Sequence, residues 1–156
     1  KRIYNSETYN NLDIYQINCT YYSALGEDDR AYLLARAVQF FSPGIPQIYY
    51  VGMLAGSNDL ELLEKTKEGR NINRHYYTKE EVDEAVQRPV VVALRLLMKL
   101  RSSHPAFDGI FQMEEPTDEE HLIITWEHRG RAITLNADFA SYSFTIEEGD
   151  HTLMRL

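Results

Sequence analysis

The sequence predicts an α/β segment that runs into a small antiparallel β domain, and three observations carry that prediction. Apolar residues recur at helical spacing from Glu27 to Phe41 and stop at Pro43-Gly44. The next run, "IPQIYYV" from Ile45 to Val51, is apolar at almost every position. Past Phe107 the pattern changes to alternation in short runs, split by Arg129-Gly130 and by Glu148-Gly149-Asp150.

The first stretch, "NLDIYQINCTYYSALG" from Asn11 to Gly26, follows neither a helical nor a strand rhythm. It gathers Asp13, Tyr15, Gln16, Asn18, Tyr21 and Tyr22. So many hydrogen-bonding groups suit a loop that grips a polyhydroxylated ligand better than a core segment. Glu27, Asp28 and Asp29 then place negative charge at a helix start, where the macrodipole favours it. Leu33, Leu34, Ala37, Val38 and Phe41 define that helix's apolar face. Ile45 to Val51 reads as a strand covered on both sides, with Tyr49, Tyr50 and Val51 in the core.

Gly52 and Gly56 loosen the chain before a long polar stretch that ends at Gln87. Within it, Asp59 to Lys67 and Thr78 to Val86 read as short helices, the second opened by the capping box Thr78-x-x-Glu81. "EGRNINRHYY", Glu68 to Tyr77, reads as an exposed loop; irregular stretches as long as this polar one are usually functional or disordered. The acidic run from Glu80 to Glu84 reads as a solvated helix face. Pro89 suits the first turn of the next helix, whose apolar face is Val91, Leu94, Leu97 and Met98 and which ends before Pro105. "HLIITWEH", "RAITLNAD", "SYSFTIE" and "HTLMRL" supply the strands of an antiparallel sheet with four or five members. The expected domains are residues 1–104 and 105–156.

Composition narrows the function. The chain has 156 residues, 44% hydrophobic and 26% charged, as expected of a globular protein. A formal net charge of -8 opposes nucleic-acid binding, which needs a basic footprint. No apolar run approaches the roughly 20 residues that span a bilayer. Cys19 stands alone, so no intrachain disulfide forms; a cytoplasmic setting is expected, with Cys19 as a small packed side chain. His75, His104, His121, His128 and His151 lack metal-ligand spacing, and no metal or cofactor is expected. Asn18-Cys19-Thr20 matches a glycosylation acceptor, a triplet that chance often supplies. The start lacks both an initiator Met and an apolar leader. A lone parallel strand cannot satisfy its own edges. The expectation is therefore a piece of a larger α/β enzyme.

Three stretches carry a resemblance: "SPGIPQIYYVGMLAGSNDLELL", "EGRNINRHYY" and "RPVVVAL". Together with Asn11 to Gly26 and "LLARAVQFFSPG", they resemble the C-terminal part of the sucrose phosphorylase family, within the α-amylase superfamily of retaining glycoside-acting enzymes. The likeness runs from about Asn11 to Phe107. It implies the C-terminal end of a (β/α)8 TIM barrel, with its last strand and last two helices, followed by a small antiparallel β-sheet domain. Asn11 to Gly26 and Gly52 to Gln87 would then be loops at the barrel's C-terminal face, where such folds build their active sites.

The resemblance also implies an activity. A glucosyl unit passes from sucrose to phosphate, giving α-glucose 1-phosphate and fructose by double displacement with retention. The three carboxylates this chemistry uses would lie upstream of the matching region, so Asp13 is not one of them and the chain alone is expected to be inactive. By residue-for-residue match, Asp13, Ile14, Tyr15, Gln16 and Arg70 would bind substrate. Asp13 and Gln16 suit sugar hydroxyls, Tyr15 adds a phenol and an apolar face, and Arg70 suits hydroxyls and phosphate oxygens. The implied partners are sucrose, phosphate, glucose 1-phosphate and fructose, with no nucleic acid and no membrane; a homodimer is compatible. Without the resemblance, Arg70 reads as a solvated side chain, Tyr15 as packing, and Arg74 and His75 as structural ion-pair members. Two other readings stand beside it. One is a related phosphorylase acting on sucrose 6'-phosphate, a glucosyl-glycerol or a glucosyl-glycerate. The other is a non-catalytic carbohydrate-binding module, against which Trp126, the one large stacking platform, sits in an alternating strand and reads as core.

Overall fold

The computed structural model describes residues 17–115 and 118–156. These form two compact units. One joins the described residues up to Asp28 to Ile48–Val91, and the other joins Asp29–Gln47 to Val92–Leu156.

In the first unit, helix α1 (Tyr21–Ala24) is capped by Thr20, whose side-chain oxygen accepts the Ser23 amide. Helices α3 (Tyr50–Met53), α4 (Leu60–Thr66) and α5 (Lys79–Ala85) follow, with a 3-10 turn at Gly69–Asn73 between the last two. Asp59 caps α4 through the Leu62 amide, and Lys67 ends it in the left-handed region at φ 56. The expected capping box is present at α5, where Thr78 and Glu81 satisfy each other's backbone N–H groups. Tyr22, Val51, Ala55, Leu63 and Ile72 are buried in this unit.

The strand expected over Ile45 to Val51 is not there. Residues 45–49 have no regular structure and α3 begins at Tyr50. Tyr49 is extended, at φ -72 and ψ 149, but an extended segment becomes a strand only beside a partner, and among the described residues none pairs with it. The same absence of neighbours corrects the expected core: Val51 is buried, whereas Tyr49 and Tyr50 are 54% and 38% exposed.

The second unit holds the sheet. Strands β1 (Ile110–Met113), β2 (His121–His128), β3 (Arg131–Asp138), β4 (Ser143–Glu148) and β5 (His151–Arg155) form an antiparallel meander in chain order. β1 was not among the runs read as strands; at four residues it is too short for alternation to show. Ile124 pairs with Leu135 and Leu135 with Ile146, so one face is a continuous buried stripe. Thr125 and Thr134 pair at positions that alternate with that stripe, their hydroxyls 2.9 Å apart. Helix α2 (Asp29–Phe41) lies against β2, β3 and β4. Its buried residues include the expected Leu33, Leu34, Ala37 and Phe41, together with Tyr32 and Phe40. Helix α6 (Pro89–Ser103), whose first three residues belong to the first unit, buries Val91, Leu94 and Leu97 as its spacing predicts. Each such side chain contributes roughly 1.5–3 kcal/mol relative to exposure.

Candidate functional site

In the first unit, the chain just after Gln16 is tied to the long polar stretch by amides. The Thr20 N–H donates to Asn58 Oδ1 at 2.7 Å, and the Asn58 N–H donates to Ser23 Oγ at 2.9 Å. Asn58 Nδ2 lies 3.4 Å from Cys19 Sγ, and Asn73 Nδ2 donates to the Cys19 carbonyl at 3.4 Å. Asn73 belongs to the 3-10 turn that carries Arg70. The two polar stretches of the sequence therefore meet, and primary amides with both a donor and an acceptor join them.

Arg70 is exposed in that turn. Asp13, Ile14, Tyr15 and Gln16 lie outside the described residues.

Three ionisable groups gather beside the turn. His75 Nδ1 stands 2.6 Å from Asp59 Oδ2, and its Nε2 stands 3.2 Å from Glu81 Oε1. The bond to Asp59 raises the His75 pKa against the opposing effect of burial, and Glu81 adds to the rise. Burial pushes the Asp59 carboxyl up, but the Leu62 amide and His75 outweigh it and hold it below the usual carboxylate value. Glu81 is lowered by the Thr78 amide first and by His75 after it. The trio is therefore an imidazole ring held between two carboxylates, both of which favour its protonated form. Of the two ion-pair members read from the sequence, His75 takes this role. Asp59 and Glu81 read from the sequence only as parts of helix starts; their pairing with His75 escaped because it is fixed only once α4 and α5 are in place.

Aromatic rings extend the cluster. The Tyr77 ring meets His75 edge-on at 4.6 Å and Tyr50 at 6.2 Å, and the Tyr50 hydroxyl donates to the His75 carbonyl at 2.9 Å. Burial, then the neighbouring Tyr49, pushes the Tyr50 phenol up to about 12. Ala55, at φ 46 and fully buried, occupies a strained turn whose Leu54 and Ala55 carbonyls both accept from Arg88 Nη1, at 3.2 and 3.0 Å. A cleft of about 480 Å³ opens here, lined by Asn58, Asp59, Glu61, His75, Tyr77 and Arg88 among others. Its hydroxyl, amide and charged groups suit a polar ligand. Among the described residues no group of three or more His, Cys, Asp or Glu side chains is placed to hold a metal, and no helix is long and apolar enough to cross a membrane.

No family model matches the chain. Sucrose phosphorylase of Streptococcus mutans serotype c is 52% identical over 156 residues, which are 97% of this chain and 32% of that protein. Glucosylglycerol phosphorylase of Marinobacter adhaerens is 56% identical over 115 residues, 74% of this chain and 24% of that protein. The crystal structure of sucrose 6F-phosphate phosphorylase from Thermoanaerobacter thermosaccharolyticum superposes with a TM-score of 0.83 at 47% identity, covering 90% of this chain and 29% of that one. The chain thus spans between about a quarter and a third of the length of these relatives.

Proposed function

We propose that this chain, homologous to a segment of the sucrose phosphorylases, is the C-terminal portion of a disaccharide phosphorylase acting on sucrose and phosphate. The intact protein would be a hexosyltransferase that moves glucose to phosphate with retention, through a glucosyl-carboxylate intermediate. The first unit would supply part of the acceptor end of the pocket at the mouth of a (β/α)8 barrel, and the sheet would be the small domain that follows it. The catalytic carboxylates would lie outside this chain, which would be inactive alone.

One observation supports this reading most directly: the amides of Asn58 and Asn73 hold the segment after Gln16 against the turn that carries Arg70. If Asp13, Tyr15 and Gln16 bind the sugar, the guanidinium that would receive phosphate oxygens is then tethered to the same loop. A forked, permanently charged donor meets both fructose hydroxyls and phosphate as the two exchange.

The test is phosphorolysis by the full-length protein. Arg70→Ala should raise KM for phosphate and lower kcat/KM by about ten- to a hundredfold, the loss of one or two charge-assisted hydrogen bonds. Unchanged kinetics would remove Arg70 from the pocket. Because relatives bear the names of sucrose 6F-phosphate and glucosylglycerol phosphorylases, the same assay with sucrose, sucrose 6'-phosphate and glucosylglycerol assigns the acceptor.

A further inference from the structure

We propose that His75 is a positioning residue for the Arg70 turn, closing the base of the loop by bridging Asp59 and Glu81. This rests on the reading of Arg70 as a phosphate-binding residue.

The loop from Gly69 to Tyr77 leaves α4 and returns to α5, so its shape depends on how its two ends are held. Asp59 holds one end in three ways. Its N–H donates to the Ile72 carbonyl at 2.7 Å, its Oδ1 accepts the Leu62 amide at 2.7 Å, and its Oδ2 takes His75 Nδ1 at 2.6 Å. Glu81 holds the other end: Oε2 accepts the Thr78 amide at 2.7 Å while Oε1 faces His75 Nε2. One ring therefore fastens the N-terminus of α4 to that of α5, and Ile72, two residues past Arg70, is bound by the same aspartate.

Both ring nitrogens face carboxylates, an arrangement that only the doubly protonated imidazolium satisfies with two donors. That engagement argues against a proton-transfer role, since His75 could hand on a proton only by letting go of one helix. The other groups facing or bordering it are Tyr77, whose ring meets its edge, Tyr50, whose hydroxyl binds its carbonyl, and Glu61 and Arg88, which line the same cleft. Asp59 first, and Glu81 after it, raise the ring's pKa, so both carboxylates favour the charged form. Once rising pH removes the imidazolium proton, one carboxylate faces a lone pair and the tie slackens. The turn then spends part of the phosphate binding energy on its own ordering.

The deciding experiment is a double-mutant cycle in the full-length protein, following kcat/KM for inorganic phosphate in sucrose phosphorolysis from about pH 6 to 9. His75→Gln should raise KM for phosphate about fivefold at the acid end, with kcat little changed, and the deficit should close towards the alkaline end. In an Arg70→Ala background the same substitution should do nothing further. Asp59→Asn, which keeps an oxygen for the Leu62 amide, carries the cycle if His75→Gln does not fold. Losses that simply multiply, or a lower melting temperature with unaltered KM, would reduce His75 to a structural pin and overturn the proposal while leaving the phosphate role of Arg70 intact. If Arg70→Ala has no effect, both readings fall.

Discussion

Trp126 Nε1 on β2 donates to the Phe41 carbonyl oxygen, the last of α2, at 2.7 Å. A helix leaves its final carbonyls without internal partners, and this one is satisfied from the sheet. The indole is buried among Phe107, Phe111 and the Arg101 guanidinium, which lies 5.2 Å above it and donates to the Gly44 carbonyl at 2.9 Å. Trp126→Phe keeps a ring and removes the donor, leaving a buried carbonyl unpaired at a cost of about 1–3 kcal/mol. The melting temperature of the full-length protein should fall while kcat per folded molecule holds. An unmoved melting curve would mean that water replaces the indole.

Asn58 is the corresponding tie in the first unit. The Thr20 N–H it accepts belongs to a residue only 4% exposed, so Asn58→Ala strands a buried donor. About 1–3 kcal/mol of local stability should go with it. Hydrogen exchange at the Thr20 amide should speed up by at least about tenfold, well ahead of any change in the sheet. Exchange at the wild-type rate would show that Asn73 alone holds the segment.

The parts legible in the sequence are those that local chemistry decides. The capping box of α5, the aspartate that opens α4 and the alternation of β2 to β4 depend on residues a few positions apart, and all are as read. Ile45 to Val51 is different. Its apolar run reads as a covered strand, but strand pairing needs a neighbour far away in the chain; none of the described residues provides one, and Ile45, Tyr49 and Tyr50 are exposed. The Asp59–His75–Glu81 cluster has the same cause. Residues 16 and 6 positions apart are joined across two helix starts, and no periodicity announces that. Asn58 reads as one of many polar loop residues, because its partners Thr20 and Ser23 lie 38 and 35 positions away in the chain.

Gly56 allows Tyr77 to approach. A Cβ there would overlap the Tyr77 hydroxyl and stand 2.7 Å from Val51 Cγ1. Gly56→Ala should therefore cost about 1–3 kcal/mol by forcing the ring or the strained Ala55 turn to move. Pairing it with Tyr77→Phe, which removes the oxygen, should recover part of that loss, so the two substitutions are non-additive in a melting assay. Strict additivity would place the conflict at Val51 instead.

On the sheet, Arg131 grips Glu148 with two bonds, Nε to Oε1 at 2.7 Å and Nη2 to Oε2 at 3.0 Å. Arg131, and His104 Nε2 at 3.4 Å after it, hold the Glu148 carboxyl down from its ordinary 4.5 to about 2. A depressed carboxyl pKa adds stability above the ordinary value and loses it as pH falls towards the folded one. The window is therefore acidic, between about pH 4.5 and 2, and neutral pH shows the full effect. Because the pair is open to solvent, salt screens it and the gain is small. Glu148→Gln should lower the melting temperature by about 1–3 °C at neutral pH and low salt, and the difference from wild type should shrink steadily below pH 4.5. Added salt should shrink it as well. A deficit that stays constant down to pH 2 would assign the effect of the glutamate to packing rather than to charge.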